Sequence, residues 1–195
     1  MPEESIDHIN FEDLNKKALS RPLVDHMYTA DPSAHIFNGK IYIYPSHDID
    51  AGEAFDDLGS HFAMEDYHVL SMDSIESDAV DNGVALHVKD VLWAKQQMWA
   101  PDANEKNGTY YLFFPAKDYD GIFRIGVATS NSPIGPFKAQ SKAIKGSFSI
   151  DPAVFKDDNE DYYMYFGGLW GGQLQRWRAG VFNKSEPESP TAFIP

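Results

Sequence analysis

The chain has 195 residues and a formal net charge of −14. That charge disfavours nucleic acid and anionic membrane surfaces, which bind through Lys and Arg. There is no cysteine, so disulfides and thiolate chemistry are excluded, and no apolar run approaches a membrane span.

Residues 1–20 are polar and of mixed charge; Ile6, Ile9, Leu14 and Ala18 recur loosely at a helical period and predict a short helix in an N-terminal extension. The opening Met1-Pro2-Glu3-Glu4-Ser5 lacks a basic region followed by an apolar core, so it does not read as a signal peptide, and the compartment stays open. From Arg21 onward, over 21–195, the chain reads as one body of strands. Ten Tyr, thirteen Phe and four Trp suit half-buried pleated surfaces. Tyr28 to His35, which contains Asp31-Pro32, leads into Ile36-Phe37-Asn38-Gly39-Lys40-Ile41-Tyr42-Ile43-Tyr44, a hairpin by its Asn-Gly turn and its aromatic and β-branched flanks. Asp48 to Glu65, rich in Gly and Asp, reads as a long loop. Asp66–Ser71 and Val84–Val88 are weaker strands.

The same construction then recurs. Pro101-Asp102-Ala103 leads to Asn107-Gly108 and Tyr110–Phe114; Asp151-Pro152-Ala153 leads to Asp158-Asn159 and Tyr162–Phe166. Phe123–Thr129 and a strand near Phe137 complete the second unit, with a turn cluster at Ser130–Pro136 between them. Short strands in a repeating unit predict an all-β fold, a radial β-propeller rather than a sandwich. Three units are too few to close a ring of about four to eight blades, so the remainder of the propeller is expected to be missing from this chain. In a propeller, equivalent positions of successive blades face the axis. Asp31 and Asp151 should therefore share a central pocket, with Asp102 near its edge. Gathered carboxylates spread their pKa values, which suits a base paired with a proton donor.

Ala30-Asp31-Pro32, Trp99-Ala100-Pro101-Asp102 and Ser149-Ile150-Asp151-Pro152-Ala153-Val154-Phe155 resemble, in order and spacing, the family 43 glycoside hydrolases; Asp66–Asp73 and Gly126–Phe137 support the match. The resemblance runs from about Arg21 to Trp177. It implies a five-bladed propeller of which this chain supplies about three blades. It also implies inverting hydrolysis of β-xyloside, α-L-arabinofuranoside or arabinan bonds in plant oligosaccharides. Asp31 would then be the general base and Asp151 the residue that tunes the general acid, while Trp99 helps to shape the pocket. The family's acid is a Glu on the next blade and is not evident here; Glu186 and Glu188 come too early, in a Pro-rich loop. The resemblance requires no cofactor. It admits a structural calcium, whose ligands cannot be identified in this stretch.

Each of these residues also has a plainer reading. Asp31 could simply start a turn, and Asp102 could bond nearby backbone N–H groups instead of substrate. Trp99 and Trp170 could pack rather than form sugar platforms. His35 and His47, which flank the first hairpin, are candidates for a sugar hydroxyl, although a satisfied structural histidine is the commoner outcome. Asp157-Asp158-Asn159-Glu160-Asp161 reads as a solvated turn, and Asp73, Glu76, Asp78 and Asp81 as an exposed acidic loop. Asn107-Gly108-Thr109 is a formal sequon but more simply a turn. Two other functions stay open: an invertase-like fructosidase, against which the Ala30 before Asp31 counts, and a non-catalytic carbohydrate-binding or inactive partial propeller.

Overall fold

The computed structural model describes residues 16–17, 21–53, 59–167, 183 and 185. Most of the N-terminal stretch, Trp170, Glu186 and Glu188 lie outside the described residues; Lys16 and Lys17 are helical.

The first sheet is an antiparallel meander of β1 (Tyr28–Phe37), β2 (Lys40–Asp48), β3 (Asp66–Met72) and β4 (Val80–His87). The β1–β2 turn has Asn38 at φ 52 and Gly39 at φ 78, which is the left-handed pair that a two-residue hairpin with matching twist requires. Asn107 at φ 55 and Gly108 at φ 78 repeat it in the second sheet. There β6 (Asp102–Lys106) and β7 (Thr109–Asp118) are followed by β8 (Phe123–Ser130) and the two-residue β9 (Lys138–Ala139). The short β5 (Ala94–Gln96) pairs with β7 at Lys117 and Asp118, beyond the end of β6. A third hairpin joins β10 (Ala153–Lys156) to β11 (Tyr162–Tyr165) through the exposed acidic run, closed by Asp157 N–H donating to Asp161 O.

The strand alternation builds the core between the first two sheets. Tyr44, Tyr67 and Val69 of the first meet Leu112, Phe114 and Ala116 of the second, all completely buried. Each fully buried large side chain is worth roughly 1.5–3 kcal/mol against exposure, so this seam fixes the two sheets as neighbouring blades. Gly126 lies inside β8 because a Cβ there would fall 2.5 Å from Trp93 and 2.6 Å from Phe114. Polar ties cross the same seam: Tyr67 OH donates to Trp99 O at 2.6 Å, Tyr44 OH to Pro133 O at 2.7 Å, and Phe137 N–H to Ala85 O at 2.8 Å.

The leading strands β1, β6 and β10 lie side by side, β6 contacting both of the others. The sheets therefore succeed one another as propeller blades, with Asp31, Asp102 and Asp151 all at the leading-strand end of their blades. One detail departs from the sequence reading. Asp81 belongs to β4 rather than to an exposed loop, and its carboxylate accepts hydrogen bonds from His26 and His68.

Candidate active site

Asp31 sits in a bulge. The β1–β2 register shifts between Ala30 and Ser33, leaving Asp31 and Pro32 outside the ladder. Pro32 has no N–H to give it, and a bulge re-aims the side chain it carries. Asp31 has φ 46 and Asp151 has φ 54. A residue before proline is pushed toward extended backbone, so the left-handed region is doubly unfavourable there. Two Asp-Pro steps with the same uncommon backbone, at the leading strands of the first and third sheets, are the structural counterpart of the sequence repeat.

Both carboxylates line one cavity of about 400 Å³, together with Ala30, Asp48, Phe62, Met64, Trp99, Ala100 and Ile150. The lining thus combines three carboxylates with apolar and aromatic side chains. The charges act on one another. Partial burial, then the negative charge of Asp31, push the Asp151 carboxyl above the ordinary carboxylate range. Burial and Asp31 likewise raise Asp48, with His47 pulling the other way. Trp99 forms part of the wall and is 7% exposed. Its indole N–H donates to Phe62 O at 2.9 Å, its ring meets Phe62 edge-on and tilts against Phe123, and Gly59 leaves room for it. The tryptophan is fixed before any ligand arrives.

The remaining candidates lie elsewhere. Asp102 is buried among the leading strands and is not a wall residue. Its carboxylate accepts from the backbone N–H of Ala103 and of Val154 and from His35 Nε2, tying β6 to β10 and β1. His35 is therefore engaged in a link between blades, with its ring stacked on Phe37. His47 precedes Asp48 on β2 and so projects to the opposite face of the sheet, where its Nδ1 meets Asp66 Oδ1 at 2.7 Å. Asp48 and Phe62 are wall residues that the motifs did not single out. Asp48 was nearly within reach of sequence: counting outward from the Asn38-Gly39 turn pairs it with Thr29, two residues from Asp31, and the bulge moves its partner to Tyr28. Phe62 lies in the long loop, where no periodicity locates a side chain.

The model for glycosyl hydrolases family 43 matches residues 77–188. The chain belongs to family 43. A xylosidase/arabinosidase of Humicola insolens is 56% identical over 176 residues, covering 87% of this chain and 54% of that relative. A xylosidase/arabinosidase of Bacteroides ovatus is 54% identical over 182 residues, covering 92% and 56%. Among solved structures, a family 43 β-xylosidase/α-arabinofuranosidase from a compost microbial metagenome, in complex with xylotriose and in a calcium-free form, superposes with a TM-score of 0.81 at 65% identity, over 87% of this chain and 52% of that one. A family 43 enzyme of Xanthomonas citri complexed with xylose gives 0.79 at 53% identity, over 91% and 51%. The chain thus spans about half the length of the curated relatives it matches. Its fold is that of the family's β-propeller, and the described strands form two blades and the leading hairpin of a third.

Proposed function

We propose that the chain carries the base-bearing side of an inverting glycosidase that cleaves β-xyloside or α-L-arabinofuranoside bonds in plant polysaccharide oligomers. The observation that supports this most is the meeting of Asp31, Asp48 and Asp151 in one cavity walled by Trp99 and Phe62. Apolar and aromatic wall residues suit the C–H face of a sugar ring, and the carboxylates suit its hydroxyls and the reacting water. The xylotriose and xylose complexes of relatives support a xylose-type occupant.

In the proposed reaction Asp31 takes a proton from water as the water oxygen bonds to the anomeric carbon. The glycosidic C–O bond breaks, and the leaving oxygen takes a proton from a carboxylic acid. That donor is a glutamate outside the described residues. Asp151, whose own ionisation is held back by its surroundings, tunes the donor and orients the sugar. The reading is tested on the protein completed to the length of its family. Aryl β-xyloside and aryl α-L-arabinofuranoside are each supplied, and the anomer first released is followed by proton NMR. Hydrolysis of either with inverted configuration is expected. Retained configuration would overturn the mechanism, and sugar binding without release of product would favour a non-catalytic carbohydrate-binding propeller.

A further inference from the structure

On the face of the first blade turned away from the acidic cavity wall, three side chains converge. His47 on β2 stands opposite Asp66 on β3, and His68 follows two residues later on the same side of the strand. One potential ligand atom from each lies within 4.8 Å of the others. The His47 and His68 rings meet edge to face with centroids 5.0 Å apart. All three are only partly exposed, their side chains at 21%, 14% and 15%. No step of the proposed hydrolysis uses the cluster.

From this geometry we infer a binding site for a zinc-like divalent metal ion, held by His47, Asp66 and His68. Two imidazoles and one carboxylate form a borderline donor set that suits Zn²⁺ and its first-row neighbours; calcium takes oxygen ligands only. The surroundings are those of a ligand set. Asp81 Oδ1 and Oδ2 lie 2.9 and 3.1 Å from His68 Nδ1. That bond fixes the tautomer and leaves Nε2 with its lone pair for a metal, and carboxylates perform the same service behind metal-bound histidines generally. Asp81 is itself anchored, accepting from Gly83 N–H at 2.8 Å and from His26 Nε2 at 2.9 Å. His47 Nδ1 and Asp66 Oδ1, 2.7 Å apart, share a proton that a metal would replace. Bonds of about 2.0–2.1 Å would draw the ligand atoms to tetrahedral edges of about 3.4 Å. Three protein ligands leave a fourth position for water. A bound ion would clamp β2 to β3 at the residue next to Asp48.

The test uses the 195-residue chain after chelator treatment, with Co²⁺ as the probe. Wild type is expected to bind one Co²⁺ per chain with the intense visible d–d bands of a low-coordinate nitrogen–oxygen site, and Zn²⁺ should bleach them. His68→Ala should abolish the bands. Asp81→Asn should weaken binding by about 10–100-fold, and His87→Ala should leave it unchanged. A wild-type spectrum no different from hydrated Co²⁺ would overturn the inference whatever the variants do. So would equal binding by wild type and His68→Ala, or a loss in His87→Ala as complete as in His68→Ala.

Discussion

Asp151 and Asp48 share an electrostatic neighbour. Each is raised first by burial and then by the charge of Asp31. Replacing that charge should therefore be felt at the other two. In Asp31→Asn, the Asp151 and Asp48 carboxyl carbons, followed by NMR against pH, should titrate at lower pH than in wild type; unchanged midpoints would mean that Asp31 does not act on them. Stability follows with a definite sign. The folded chain keeps a proton on Asp151 at a pH where the unfolded chain has lost it. Stability thus falls as pH rises from the ordinary carboxylate pKa of about 4 through the raised value, and stays lower above it. Asp151→Asn carries no such charge. It should match wild type in thermal unfolding at about pH 4 and become the more stable of the two by about pH 7. Solvent reaching Asp151 through the cavity keeps the difference modest.

Among the strands, Asp102 holds the blades in order. Its carboxylate serves β1 through His35, its own strand through Ala103, and β10 through Val154. Asn in its place presents one N–H₂ to groups that are all donors. Each hydrogen bond to a charged group is worth about 1.5–3 kcal/mol, so Asp102→Asn should cost about 3 kcal/mol, read as a lower urea midpoint. Gly126→Ala is a second test at this scale. Its added methyl meets the ring carbons of Trp93 and Phe114, neither of which can retreat from a packed seam. A loss of about 1–3 kcal/mol is expected by the same measurement.

The same elements show what the sequence made legible and why. The three hairpins were readable because Asn-Gly turns in the first two, an Asp-Asn turn in the third, and aromatic strands after each are local signals, and β1–β2, β6–β7 and β10–β11 follow them. The ordered motifs identified the family before any coordinates. The three uses of Asp102 were not readable, because its partners His35 and Val154 lie 67 and 52 residues away. Phe62 escaped in part for the same reason: besides its local contacts with Gly59 and His61, it meets Trp99, 37 residues away. Asp81 looked like one of a solvated acidic group until the β3–β4 pairing set it beside His68.

At the scale of the molecule, the β-propeller brings the equivalent Asp-Pro steps of its first and third described blades to one cavity. Asp31 is proposed to activate water there for attack on a glycoside. The most direct test is turnover of an aryl β-xyloside by Asp31→Asn in the protein completed to family length, with circular dichroism to confirm an unchanged fold. Loss of a general base lowers turnover by about 10²–10⁴-fold, and a loss in that range with little change in sugar binding is the predicted result. An Asp31→Asn protein that folds normally and turns over at close to the wild-type rate would contradict the account.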